Sequence, residues 1–312
     1  MNTSSNLALI ALTAVMALSE SSFGSEVHHS ESVTAVAFSP DGQTVLTGSV
    51  DHSAAIWSVD GTQIKVFPGA DEVASVAFSP DGQNVLLGES RSGAVLLNIG
   101  TGRTLQTFDV RRDSVTDVAF SSDGNSVLTG SPDVAMIWNL KSGSRAELLK
   151  VRGFESLNSV AFSPDGGTVL TGSNDRTAIL WSVSTGQRVR TFEGHLGAVL
   201  SAVFSPDGKK VLTAASDATA ILWDVETGAQ LKIFAGQRSA VTSIAFRFDG
   251  QQVLTGSSDG TVVLWDVASG DKLEQFDATA HSPVNAVAFS PNARMIAFGS
   301  LNGIAVIQTL HF

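Results

Sequence analysis

The chain contains no cysteine, which excludes disulfides, thiolate metal sites, cysteine nucleophiles and lipid attachment through an N-terminal cysteine together. Charge is also scarce. Charged residues make up 16%, and 19 Lys and Arg against 30 Asp and Glu leave a net charge of −11, an excess that argues against nucleic acid or an anionic membrane as partner. Long apolar runs are missing with one exception, Leu7 to Leu18, whose twelve residues hold nothing more polar than Thr13. That is too short to span a bilayer. It matches the apolar core of a secretory signal over residues 1–19, with Ala17 and Ser19 placed for a cut ahead of Glu20, although no Lys or Arg precedes it. The other reading is an uncleaved, buried N-terminal strand or helix. Export places the protein in the periplasm or outside the cell, and an inactive leader leaves it in the cytoplasm.

What is present is a foldable chain: 43% hydrophobic residues, with 29 Gly and 8 Pro. The stretch Asp51-His52-Ser53 sets an acid, an imidazole and a hydroxyl side by side. A working triad needs these groups to converge at roughly 3 Å, usually from distant parts of a chain, whereas neighbours in a strand alternate faces and neighbours in a turn splay outward. No catalytic residue is assigned there.

Self-similarity dominates the remainder. The pattern Ala-Phe-Ser-Pro-Asp-Gly, or a close variant, recurs with its Phe at 38, 78, 120, 162, 204, 246 and 289, spaced 40, 42, 42, 42, 42 and 43 residues apart. A period near 40 to 45 belongs to propeller blades. Each copy divides into the same pieces: a strand like 33–39, a Pro-Asp-Gly turn, a strand like 44–49, a short polar turn at Asp51, a strand ending at Trp57, and a fourth around 64–67. Pro and Asp-Gly suit tight turns between strands. Third strands such as 177–181 and 261–265 are apolar at consecutive positions, so both faces are predicted to be buried between neighbouring sheets.

With Trp57, Trp138, Trp181, Trp223 and Trp265 closing third strands, and Trp-Asp at 223–224 and 265–266, residues 33–310 resemble the WD40-repeat family. The resemblance implies an all-β, seven-bladed propeller of four antiparallel strands per blade, one domain over 20–312, with repeats starting near 33, 73, 115, 157, 199, 241 and 284. It implies a monomeric ring that binds a protein or peptide, without cofactor or resident metal. It also implies a network of His, Ser or Thr, Asp and Trp within a blade. Two repeats carry the full set: His29, Thr47, Asp51, Trp57 and His195, Thr213, Asp217, Trp223. Repeats 2 and 7 depart most, with Arg91 and Asn302 for the Asp and Leu97 and Gln308 for the Trp, which puts their local rigidity in question. The seventh repeat ends without a fourth strand, and the resemblance assigns that place to roughly residues 23–27, removing an open sheet edge.

Function then rests on exposed turns. Those before the first strand and between the second and third share one end, the top, where Arg91, Arg111, Arg112, Arg152 and Arg176 gather with Phe154 and the tip residue His52. The guanidinium fork suits carboxylate or phosphate groups, so this sector is a candidate site for an acidic partner; alternatively Asp113, Glu155 and solvent neutralise it. The competing class is a lactonase-like propeller hydrolase with a metal in the central channel. First strands line that channel, and the pairs after each opening residue (Thr34-Ala35, Ala74-Ser75, Thr116-Asp117, Asn158-Ser159, Leu200-Ser201, Thr242-Ser243, Asn285-Ala286) contain one carboxylate, Asp117. Calcium collects six to eight oxygens, for which Asp117, Asn158 and Asn285 are a thin set.

Overall fold

The repeating Ser-Pro-Asp-Gly unit organises each blade locally. In the first copy Ser39 Oγ donates to Asp41 Oδ1 at 2.6 Å, the Gln43 N–H donates to the same oxygen at 3.0 Å, and the Thr44 N–H donates to Ser39 Oγ at 3.0 Å. Gly42 takes φ +69°, which glycine tolerates best. The chain thereby turns back on itself and begins the next strand in register. The computed structural model, which describes residues 24–110, 114–147 and 156–311, stacks the copies as seven four-stranded antiparallel sheets. Among the described residues no helix is long and apolar enough to cross a membrane.

Blade 1 runs Val33–Phe38, Thr44–Ser49, Ser53–Ser58 and Gln63–Pro68. The seventh blade has Val284–Phe289, Met295–Ser300 and Ile304–Thr309. Its fourth strand is Ser25–His28, which pairs with Ile304–Thr309 and opposes Val27 to Ala305, as Phe67 opposes Ala54 in blade 1. Val27 and Phe67 are both fully buried. The leader expected over residues 1–19, and Phe23, lie outside the described residues.

The core lies between sheets. Second and third strands are buried on both sides, and clusters such as Leu46, Ile56, Phe67, Val73 and Val85 each span two blades. Backbones approach closely there: a Cβ on Gly48 would come within 2.8 Å of Val73 and Val76. First strands line the channel, and all fourteen residues read from the sequence face it.

A register shift sits at the second residue of the first strand. In blade 1, Val33 opposes Ser49 while Ala35 opposes Gly48, leaving Thr34 as the extra residue, and the shift recurs in blades 2, 4, 5, 6 and 7. A bulge re-aims the side chain it carries. Thr34 Oγ1 donates to the carbonyl of Val73 in the next blade, Asn158 Nδ2 to Val199, Thr242 Oγ1 to Val284 and Asn285 Nδ2 to Val33. The bulge converts a sheet irregularity into a belt of bonds across the seams.

Candidate functional site

Top-face turns are held by anchors beneath them, most fully in blades 1 and 5. In blade 1, His29 Nδ1 lies 2.9 Å from Asp51 Oδ2, His29 Nε2 lies 2.7 Å from Thr47 Oγ1, and the Trp57 indole N–H donates to Thr47 Oγ1 at 2.8 Å. An ionised Asp51 only accepts, so Nδ1 carries the proton; in the neutral ring Nε2 then accepts from the Thr47 hydroxyl, which in turn accepts the indole N–H. Blade 5 repeats this with His195, Asp217, Thr213 and Trp223 at 3.0, 2.8 and 2.8 Å. The order hydroxyl, imidazole, carboxylate is that of a nucleophilic triad. Thr47 and Thr213 are fully buried and engaged by the indole, so the arrangement is structural.

The turn carboxylates have further tasks. Asp51 accepts the N–H of Ser30, Asp217 that of Leu196 and Asp259 that of Arg238. Burial pushes Asp51 up, but bonds from Ser53 and His29, and the His29 charge, together hold its pKa below the usual range; Asp217 is lowered against the same opposition by Thr219, Leu196 and His195. The residue after the acid is left-handed, at φ +65° in His52, +74° in Arg176 and +66° in Ala218, where blade 6 places Gly260 at +85°; His52 and Arg176 are exposed and Ala218 partly so. Non-glycine residues adopt this region at a cost of about 1–2 kcal/mol.

Three blades solve the anchor differently. In blade 6, Gln237 stands at the histidine position and its Nε2 donates to Thr261 Oγ1 at 3.1 Å, while Trp265 still donates to Thr255 at 2.8 Å. In blade 3 the turn is one residue shorter: Ser131 pairs directly with Val134 around Pro132 and Asp133, and Trp138 donates to Thr129 at 3.0 Å. In blade 2 the histidine position is Gly69, and Glu89 supplies the missing carboxylate from the second strand. It is 4% exposed, stands where blade 1 has Ser49, and accepts the Ala70 N–H at 3.0 Å. Burial pushes the Glu89 carboxyl up, with Asp71 adding to the rise against the Ala70 bond and His52.

With the anchor supplied by Glu89, Arg91 points outward. Its side chain is 75% exposed, with Asp71 at 3.9 Å and Glu72 at 3.7 Å, two carboxylates that sequence reasoning did not pair with it. Arg176 and His52 are exposed at their tips. Arg111, Arg112, Asp113, Arg152, Phe154 and Glu155 lie outside the described residues. Two top-face residues were missed from the sequence: Leu196, 84% exposed, and Arg238, also exposed. Each directly follows an anchor residue, His195 or Gln237, and that adjacency was the available signal.

In the channel, Asp117 accepts from Ser75 Oγ at 2.8 Å, from the Val118 N–H at 2.9 Å and from the Val160 N–H at 2.8 Å. Burial raises its pKa against these bonds. Asn158 and Asn285 spend their amide N–H groups on Val199 and Val33. Among the described residues no group of three or more His, Asp or Glu is placed to hold a metal. The carboxylate and amides there join blades 2 to 3 to 4, 4 to 5 and 7 to 1.

Residues 114–306 match the family model described as IFT122 first beta-propeller. Residues 21–58 and 61–97 match the model described as WD domain, G-beta repeat. No curated protein matches the chain.

Proposed function

The chain belongs to the WD40-repeat β-propellers, within the family of the IFT122 first beta-propeller, and on that premise we propose that it is a non-enzymatic scaffold that binds a protein or peptide on its top face. WD40 propellers bind protein partners, and rings of these families are generally non-enzymatic scaffolds. The partner presents acidic groups to the sector formed by Arg91, Arg111, Arg112, Arg152 and Arg176, with Phe154 and His52 beside them. One observation carries this reading: the acids of the turns face inward onto backbone N–H groups and histidines, whereas His52 and Arg176 project from exposed left-handed tips. Backbone strain of this kind persists where the surrounding structure over-determines it and accumulates at binding surfaces.

The test is affinity capture from the native compartment with the wild type beside a variant carrying Glu at Arg111, Arg112 and Arg152. The captured set is expected to be lost while thermal unfolding stays unchanged. An unaltered set would overturn the assignment of the site.

A further inference from the structure

At the bottom end, opposite the arginine sector, the seams open into grooves. Between blades 1 and 2 a cavity of about 280 Å3 is walled by Ile56, Ile64, Phe78 and Ile99 and rimmed by Asp41 and Asp81. Ile64 is 57% exposed. An equivalent groove of about 440 Å3 lies between blades 4 and 5, walled by Leu180, Val189, Phe204 and Val225 and rimmed by Asp165 and Asp207. The two are lined at equivalent repeat positions and differ in size and in the charge beside the rim. Asp207 is flanked by Lys209 and Lys210, which act on its carboxyl, while Arg190, tied to the carbonyls of Glu226 and Thr227, lines the groove together with Glu226. In the first groove those positions are Gln83, Asn84 and Lys65, and Lys65 is tied to the carbonyls of Ile99 and Gly100. Hydrogen bonds from Ser39 and Gln43 hold Asp41 low, and those from Ser79 and Gln83 hold Asp81 low, so both are ionised at neutral pH.

We propose that the groove between blades 1 and 2 docks a basic peptide segment, seating one of its aliphatic side chains against Ile64 and Phe78 while flanking Lys or Arg residues meet Asp41 and Asp81. Apolar burial supplies affinity and the paired carboxylates select the sign of the partner. The groove between blades 4 and 5 has the apolar floor, but Lys209 and Lys210 stand beside its Asp207 where the first groove has Gln83 and Asn84, and these like charges keep the basic ligand out. The site lies at the other end of the ring from the arginine sector and stands or falls independently of it.

The chain contains its own template for a neutral rim. Blade 7 carries Asn292 at the aspartate position, and its Oδ1 accepts from Ser290 Oγ at 2.8 Å and from the Arg294 N–H at 3.0 Å, so Asp41→Asn and Asp81→Asn keep the turn. The probe is a fluorescein-labelled heptapeptide of alternating lysine and leucine, with a lysine-serine counterpart, titrated into the full chain by anisotropy at near-physiological salt. The lysine-leucine peptide is expected to bind, the lysine-serine peptide to bind about tenfold more weakly, and Ile64→Ser and the paired Asn variant each to weaken binding by about tenfold. Val189→Ser is expected to leave it unchanged. Equal binding of the lysine-serine peptide, equal loss in Val189→Ser and Ile64→Ser, or no effect of the paired Asn variant would each overturn the proposal.

Discussion

Glu89 Oε1 accepts the backbone N–H of Ala70 at 3.0 Å, the same leading-turn position that Asp51 serves at Ser30 and Asp217 at Leu196. A carboxylate from a different strand has taken over the anchor, with Gly69 leaving room: a Cβ there would stand 3.0 Å from that oxygen.

Glu89→Ala removes the acceptor of a part-buried backbone N–H, and about 0.5–1.5 kcal/mol of stability is expected to be lost in urea unfolding. Glu89→Gln retains an acceptor and removes the titration. Because burial raises the folded pKa of Glu89 above 4.5, the folded state holds the proton longer, so wild-type stability declines as pH rises from the ordinary value through the raised one. The Gln variant should gain on the wild type across that window. A constant difference would show that the carboxyl is not the titrating group.

The anchors of blades 1 and 5 have the opposite sign. Asp51 and Asp217 are lowered from 3.8, so their contribution is complete at neutral pH and is lost as pH falls through the lowered folded value. Asp51→Asn is expected to cost about 1–3 kcal/mol at neutral pH and progressively less in acid. Parallel melting curves of wild type and variant against pH measure this.

Asp117 joins three blades, accepting from Ser75 in blade 2 and from Val160 in blade 4. Asp117→Ala leaves those donors unmatched and should destabilise the ring by about 1–3 kcal/mol. Adding calcium should not shift the wild-type melt; a shift abolished by Asp117→Ala would restore the channel-metal reading.

Seam 5 to 6 is the exception in the belt. Leu200 occupies the bulge where Thr34, Thr242, Asn158 and Asn285 reach the next blade, and among the described residues no side-chain bond crosses this seam at the channel; Lys232 Nζ ties it at the rim through Ala268 O at 2.6 Å. Leu200→Thr, copied from blades 1 and 6, is expected to add a bond to the Val241 carbonyl and stabilise the protein by about 0.5–1.5 kcal/mol. Calorimetry provides the check, and a lower melting temperature would count against this role for the bulge.

The chain by itself determined the ring: the period near 42 residues, the turn chemistry and the double-sided apolar strands are local properties, and they specify the blades and their number; the family resemblance added the channel lining and a closing strand near 23–27, which the structure places at 25–28. The two complete anchor sets could also be read, since their members recur at matched offsets. Only the tertiary structure decided the substitutions. Glu89 and Gln237 stand in for missing anchor residues, Arg91 lies beside Asp71 and Glu72, and Thr34 reaches Val73. In these cases a departure from the pattern is answered by groups brought together through strand register or seam packing, including contacts across nearly a whole repeat. A repeat alignment compares each residue with its counterparts in other blades; the seam sets it against a neighbour with no counterpart in that comparison.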